Sequence, residues 1–248
     1  MTKKRLDQAM LEQSLVPTRS QAGSFIRLGK VTVNGKPVTK PGQLVSGESV
    51  IKLNSDQYVS RAALKLASVA KQLGLEFRDK IVLDVGSSTG GFTDFALRGG
   101  AAKVIAVDVG SNQLHPSLRD NMCVELHEQT DIRVVGLKSS ASSSFKLLID
   151  TPDIIVIDVS FISLRDVLPH IASLCGPNTL IVAMVKPQFE VGDRSKNKGV
   201  VKNERDRRDI LKDFEQWAKQ YFAVQHTADS GIAGEKGNVE RFYLLRRL

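Results

Sequence analysis

The chain has 248 residues, 42% apolar and 25% charged, an ordinary globular mixture with room for one large domain or a small one beside a mid-sized one. Its formal charge of +8 favours an anionic partner, nucleic acid or a membrane surface. No apolar run approaches the ~20 residues needed to span a bilayer, and no apolar stretch follows the basic start MTKKR as in a secretory signal, so a soluble, cytoplasmic protein is expected.

The charge is unevenly spread. Residues 1–60 hold nine Lys/Arg against four Asp/Glu, and RSKNKGVVKNERDRR at 194–208 holds seven against two. RLDQAMLEQSL has the spacing of an amphipathic helix, and TRSQAGSFIRLG that of a second one, capped by Thr18 and stopped at Gly29. VTVNGKPV alternates about Asn34-Gly35, a strong hairpin signal. Pro41-Gly42 turns the chain and VIKL closes a small α+β unit over 1–53, too small for an enzyme core, with a linker over 54–60.

From residue 61 to 248 helical and buried-strand patterns alternate. Strands are predicted at 81–86, 103–108, 153–158 and 179–185, with helices at 61–73 and near 91–99, 143–150, 163–174 and 203–220. This alternation predicts an α/β domain with a doubly wound parallel sheet. YFAVQHTAD and RFYLLRR, joined only by a loop, predict an antiparallel hairpin at the sheet edge, and SSASSSF reads as a serine-rich loop. Cys123 and Cys175 lie in apolar surroundings and are expected to be buried thiols; the four histidines show no metal-ligand spacing, so no metal is expected.

The first strand of this domain runs straight into GSSTGG and a helix, where glycines let backbone approach a ligand. The spacing is neither that of a dinucleotide fingerprint nor that of a P-loop. Asp108 ends the next strand, where an acid accepts from a ribose diol, so a nucleoside-type cofactor is expected. Asp158 and Lys186 end two further strands, on the edge where open α/β sheets bind ligands, and Glu240 sits at the turn into the last strand. In YVSRAALKL, Lys65 borders the apolar stripe of Ala62, Leu66, Val69 and Leu73; taken alone, such a lysine is read as snorkelling to water.

In order, YVSRAALKL, LDVGSSTGGFTD, VDVG, IDVSFISL, VKPQFE and GNVE resemble the FtsJ-type Rossmann-like methyltransferases, and more narrowly the TlyA family of ribosomal RNA 2′-O-methyltransferases, often labelled hemolysins. RLDQAML, TRSQA and IRLGKVTVNG resemble the S4-like αL module of ribosomal proteins and pseudouridine synthases, which TlyA proteins carry ahead of the catalytic domain. The resemblance implies S-adenosylmethionine as cofactor and the ribose 2′-hydroxyl of a cytidine in ribosomal RNA, within assembled subunits, as substrate. It places the family's catalytic set on Lys65, Asp158, Lys186 and Glu240. Cofactor contacts would fall on Asp84, Gly86, Ser88, Gly90 and Gly91, with Asp108 on the ribose and Asp131 near the adenine. Arg5, Arg19, Arg27, Lys30 and Lys36 would hold RNA phosphates.

Two departures stand out. Ala62-Ala63 replaces two glycines usual in the family, which leaves less room there while close packing is expected to survive. NKGVVKN stands for a glycine-rich G-G-V-V stretch after VKPQFE. Lys186 is the expected general base, oriented by Asp158, with Glu240 holding Lys65. The competing readings are a membrane-lytic hemolysin, for which no spanning segment or basic amphipathic helix with an aromatic face is found, and a non-catalytic RNA-binding scaffold, which would need none of the four residues together. A nicotinamide dehydrogenase would share Asp108 but explains neither the glycine spacing nor the two lysines.

Overall fold

The computed structural model describes all residues except 1–2, 17, 28, 55–57, 140–144, 146, 192–199, 202 and 235–236. At the N-terminus β1 (Lys4–Arg5), α1 (Leu6–Glu12), α2 (Arg19–Arg27), β2 (Val31–Val33), β3 (Lys36–Val38), β4 (Leu44–Val45) and β5 (Ile51–Leu53) form two helices over a three-stranded antiparallel sheet of order β3-β2-β5, with a small β1-β4 pair. Thr18 Oγ1 accepts from the Gln21 N–H and so starts α2, and Gly29 stops it in the left-handed region at φ 67°. Asn34 and Gly35, at φ 50° and 78°, make the tight turn that joins β2 to β3.

The remainder comprises α3 (Arg61–Ala70), β6 (Ile81–Val85), α4 (Gly91–Arg98), β7 (Lys103–Val107), α5 (Pro116–Arg119), β8 (Val124–His127), β9 (Val135–Leu137), β10 (Leu147–Ile149), β11 (Ile154–Ile157), α6 (Leu168–Ser173), β12 (Leu180–Val185), α7 (Pro187–Glu190), α8 (Glu204–Ala218), β13 (Phe222–Asp229) and β14 (Arg241–Arg247). The main sheet has seven strands in the order β13-β14-β12-β11-β6-β7-β8, parallel but for β14, which runs against both neighbours. The order reverses between β6 and β11, the crevice where such sheets bind ligands. Leu83, Val85, Ile105, Ile155, Ile157 and Val185 pack on one face with α6 and α8. Val82, Val104, Val156 and Met184 pack on the other with Leu66, Val69, Phe92 and Ala96 of α3 and α4. This strict alternation turns Asp84 toward α4.

Three expectations are corrected. The stretch 143–150 was expected to be helical, but Leu147–Ile149 is a strand paired in parallel with Val135–Leu137; three successive apolar residues read alike as helix or strand, and the pairing decides. The serine-rich stretch before it lies mostly outside the described residues. Strand β8 lacks a sequence signal because all four of its residues are only half-buried at the sheet edge. Cys123 is exposed, whereas Cys175 is buried. The expected helix at 163–174 divides into a 3₁₀ turn, Leu164–Asp166, and α6, which starts at Leu168-Pro169.

The apolar core of the N-terminal unit does not end with that unit. Leu64 on α3 and Ile232 on the β13–β14 loop are both buried in the cluster of Leu6, Phe25, Ile26 and Val31.

Candidate active site

Strand β6 hands the chain to Gly86, whose φ of 80° and proximity to β11 exclude a side chain: a Cβ there would lie 2.9 Å from the Asp158 carbonyl oxygen. Ser88, also left-handed at φ 46°, donates its N–H to Asp108 Oδ2 at 2.9 Å, and Gly110 donates to Oδ1 at 2.7 Å. Asp108 is thereby fixed at the end of β7 while each oxygen keeps a lone pair for a diol. A Cβ on Gly91 would lie 2.7 Å from Ala62 Cβ and 2.8 Å from Ala63 N, so the missing side chain lets α3 sit against α4. Gly91 thus makes room for the Ala62 methyl and for the backbone at Ala63.

Two clefts open along this edge. The larger, about 340 Å³, is lined by Gly86, Ser88, Asp108, Asp131, Ile132 and Ile162, among others. The smaller, about 140 Å³, is lined by Asp84, Gly86, Ser88, Gly91, Asp158 and Lys186, with Ala62 and Ser160 among others. Gly86, Ser88, Asp158 and Ser160 belong to both. Gly90 lines neither; at φ 90° it caps α4 and packs beneath Leu114 and Leu118. Asp131 caps the turn at Ile132 and is bound by Arg133, Nη2 to Oδ2 at 2.6 Å.

Asp84 is 1% exposed; its Oδ2 accepts from Thr93 Oγ1 at 2.6 Å, while Oδ1 has no hydrogen-bond partner. Burial pushes its carboxyl up to about 7 against the Thr93 hydrogen bond, with Asp158 and Asp108 adding to the rise. A buried, unsatisfied carboxylate oxygen facing a polar cleft calls for a donor from a ligand or solvent.

The expected catalytic residues form two ion pairs, Lys65–Glu240 buried and Lys186–Asp158 partly so. Lys186 Nζ lies 2.6 Å from Asp158 Oδ1 and donates to Ser160 Oγ at 2.6 Å. Lys65 Nζ donates to Glu240 Oε1 at 2.8 Å, with Lys65 9% and Glu240 2% exposed. The sheet relates the pairs: Asp158 and Lys186 follow the ends of adjacent strands β11 and β12, and Glu240 directly precedes Arg241, which pairs with Val185. Lys65 therefore does not snorkel to water.

Several residues of this edge carried no signal of their own in the sequence. Ser160 and Thr93 act through partners on other elements. Phe161 is 81% exposed at φ 68°, its ring 5.4 Å from that of Phe189. Glu190 accepts from Ser163 Oγ at 2.6 Å and from the Leu164 N–H at 2.8 Å, and burial lifts its carboxyl above the usual carboxylate range despite both hydrogen bonds. Away from this edge, Arg5 and Arg19 both bind the buried Asp7, at 2.9 and 3.2 Å, whereas Arg27, Lys30 and Lys36 are exposed. Of the second basic stretch, 194–199 and 202 lie outside the described residues. Arg207 is buried, bound to Glu204, Asp229 and the Val239 carbonyl.

Sheet order, glycine turn and cleft define a Rossmann-like methyltransferase domain behind a small α+β unit. The model of the FtsJ-like methyltransferases matches residues 58–247, and that of the S4 domain matches residues 4–51. The chain belongs to the FtsJ-like methyltransferase family. It is 43% identical over 196 residues to the 23S rRNA (cytidine-2′-O)-methyltransferase TlyA of Campylobacter jejuni, covering 78% of this chain and 72% of that one. It is 35% identical to the 16S/23S rRNA (cytidine-2′-O)-methyltransferase TlyA of Mycobacterium tuberculosis, over 98% and 89% of the two chains. A solved structure from Streptococcus thermophilus labelled as a hemolysin candidate is 36% identical, covers 100% of this chain and 89% of its own, and superposes with a TM-score of 0.69. Among the described residues no helix is long and apolar enough to cross a membrane.

Proposed function

We propose that this protein transfers the methyl group of S-adenosylmethionine to the ribose 2′-hydroxyl of a cytidine in ribosomal RNA, in the cytoplasm and on assembled subunits. The observation that carries the reading is the joining of two lysine–carboxylate pairs, one buried and one partly buried, to a glycine-turn cleft at one sheet edge. Relatives named for the same reaction support the choice of substrate.

The residues present fit the cofactor. The apolar larger cleft, with Asp108 and Asp131 at its wall, would hold the nucleoside. Asp84, with its free buried oxygen, would take the ammonium of the amino-acid end, and Gly86, Ser88 and Gly91 leave backbone open to it. When bound, S-adenosylmethionine supplies a methyl on a sulfonium, already a strong electrophile. The chain's task is therefore alignment and proton removal. As the free amine, its own proton having passed to solvent, Lys186 Nζ would accept the 2′-hydroxyl proton while the oxygen–carbon bond forms and the sulfonium–methyl bond breaks, and Asp158 would stabilise the ammonium that results. Ser160 orients the same amine, and Glu240 holds Lys65 at the edge of the site. The exposed Phe161, packed on Phe189, would offer an aromatic face for the target base. Arg27, Lys30 and Lys36 would grip phosphates, with Arg5 and Arg19 presented from Asp7.

The test is incubation with methyl-labelled S-adenosylmethionine and separated ribosomal subunits that lack the modification, alongside Lys186→Ala. Label in ribosomal RNA with wild type and its loss in the variant are expected. Cofactor binding without transfer to either subunit would overturn the substrate, and full turnover by Lys186→Ala would overturn the base.

A further inference from the structure

The segment after β11 and the segment after β12 meet in three successive rungs. Asp158 and Ser160 meet Lys186. Phe161 meets Phe189. Ser163 and Leu164 meet Glu190. The middle rung is strained: a bulky residue at φ 68° is held in the left-handed region only where its surroundings impose it. What imposes it must act on both sides of Phe161. On one side is the Lys186 ion pair. On the other is Glu190, whose side chain is 1% exposed and which uses both carboxylate oxygens on the far end of the loop. Ser163 joins this rung to the next turn, since its Oγ also accepts the Arg165 N–H at 3.1 Å.

Helix α7 is a single turn, with Lys186 as its N-cap and Glu190 as its last residue. A pull at Glu190 is thus transmitted to Lys186 through four residues of backbone. We propose that Glu190 is a positioning residue for methyl transfer: it clamps the strained Phe161 loop onto the Lys186 turn and so sets Asp158 and Ser160 against the Lys186 amine. Glu190 lines neither cleft and touches no reacting atom. The inference rests on the reading of Lys186 and Asp158 given above.

The clamp needs an acceptor for the Leu164 N–H and a partner for the Ser163 hydroxyl; the Arg165 guanidinium, with Nε 3.7 Å from Oε2, adds only a longer charge contact. An amide supplies both, its oxygen accepting from Leu164 and its nitrogen donating to Ser163 Oγ. An alanine supplies neither.

The experiment is single-turnover and steady-state kinetics of Glu190→Ala, Glu190→Gln, Ser163→Ala and Lys186→Ala in the full chain, on ribosomal subunits, with cofactor affinity measured by calorimetry. Glu190→Ala is expected to lose about 10- to 100-fold in kcat, by analogy with the loss of outer-shell supports, with KM for RNA and cofactor Kd within about twofold of wild type. Glu190→Gln is expected to recover most of that loss, and Ser163→Ala to show a smaller one confined to kcat. Wild-type kcat in both alanine variants, or a defect carried wholly by KM or cofactor Kd, would overturn the clamp while leaving Lys186 in place. Should Glu190→Ala fail to fold, Ser163→Ala decides alone: a selective fall in kcat supports the clamp, and an unchanged kcat sinks it. If Lys186→Ala is itself fully active, the underlying assignment of the base has failed, a result separable from all the others.

Discussion

Lys186 Nζ stands 2.6 Å from Asp158 Oδ1 across the ends of two adjacent parallel strands, β12 and β11. The two residues are 28 positions apart in the chain, and only the pairing of their strands makes them one group. A proton acceptor in this position gives a direct prediction. Lys186→Ala should lower the methyl-transfer rate by about 10²- to 10⁴-fold, the usual contribution of general-base catalysis. Cofactor affinity should change little, since the cradle of Gly86, Asp108 and Asp84 is left intact. Rapid-quench kinetics with labelled cofactor separates the two quantities.

Asp84 predicts a pH dependence of known sign. With its carboxyl raised to about 7 in the fold and near 3.8 when unfolded, the folded protein keeps a proton between those values that the unfolded chain has lost. The stability this contributes is fully present below pH ~4 and is lost as pH rises through 7, on the order of 4 kcal/mol at 1.36 kcal/mol per unit. The loss runs from about pH 4 to above pH 7, so urea unfolding of the ligand-free protein at pH 5 and pH 8 should show the part of it above pH 5, roughly 3 kcal/mol, and Asp84→Asn should lack it. Binding of a cationic ligand has the opposite sign: affinity for S-adenosylmethionine should rise as pH passes 7 in wild type and stay flat in Asp84→Asn. A flat wild-type profile would remove Asp84 from the ammonium site.

The buried Lys65–Glu240 pair should be costly to break by halves. Glu240→Leu strands an amine among apolar residues and is expected to destabilise the fold by about 3–5 kcal/mol. The double variant Lys65→Met, Glu240→Leu should regain most of that stability, yet remain defective in methyl transfer. Chemical denaturation and turnover measured on the same four-protein cycle test both halves of this statement.

Ile232 links the β13–β14 loop to the core of the N-terminal unit. Ile232→Ala should cost about 2–5 kcal/mol through the cavity it leaves, although the residue is far in sequence from that unit. For the same reason, removing residues 1–53 uncovers Leu64 and Ile232. The truncated protein should bind cofactor, melt at a lower temperature than the full chain, and fail to modify ribosomal RNA. Equal activity of the truncated and full-length proteins on ribosomal subunits would refute a role for the N-terminal unit in substrate capture.

RNA affinity should fall steeply with salt. Lys30→Ala and Lys36→Ala, both at exposed positions, should each reduce the slope of log affinity against log salt by about one if each meets a phosphate. Arg19→Ala should do less, because Asp7 already holds that guanidinium. Filter binding across a salt series reads these slopes.

What was legible in the chain by itself was whatever has a local physical cause. Continuous apolar runs marked β6, β7, β11 and β12, since strands covered on both faces need no polar alternation. Asn34-Gly35 marked a hairpin because both residues tolerate positive φ. Gly86 and Asp108 marked a cleft because they end parallel strands, and the order of motifs marked the family. Tertiary structure decided what depends on a partner distant in sequence. It turned the 147–149 segment from helix to strand by giving it β9 to pair with, and set β8 at an edge where half-buried residues leave no pattern. It placed Arg5 and Arg19 on Asp7, exposed Cys123, and left Gly90 beneath two leucines. Above all it gave Lys65 its counter-ion: alone, a lysine beside an apolar stripe reaches for water, and only a sheet that brings Glu240 back from 175 residues away makes burial of its charge the lower free energy.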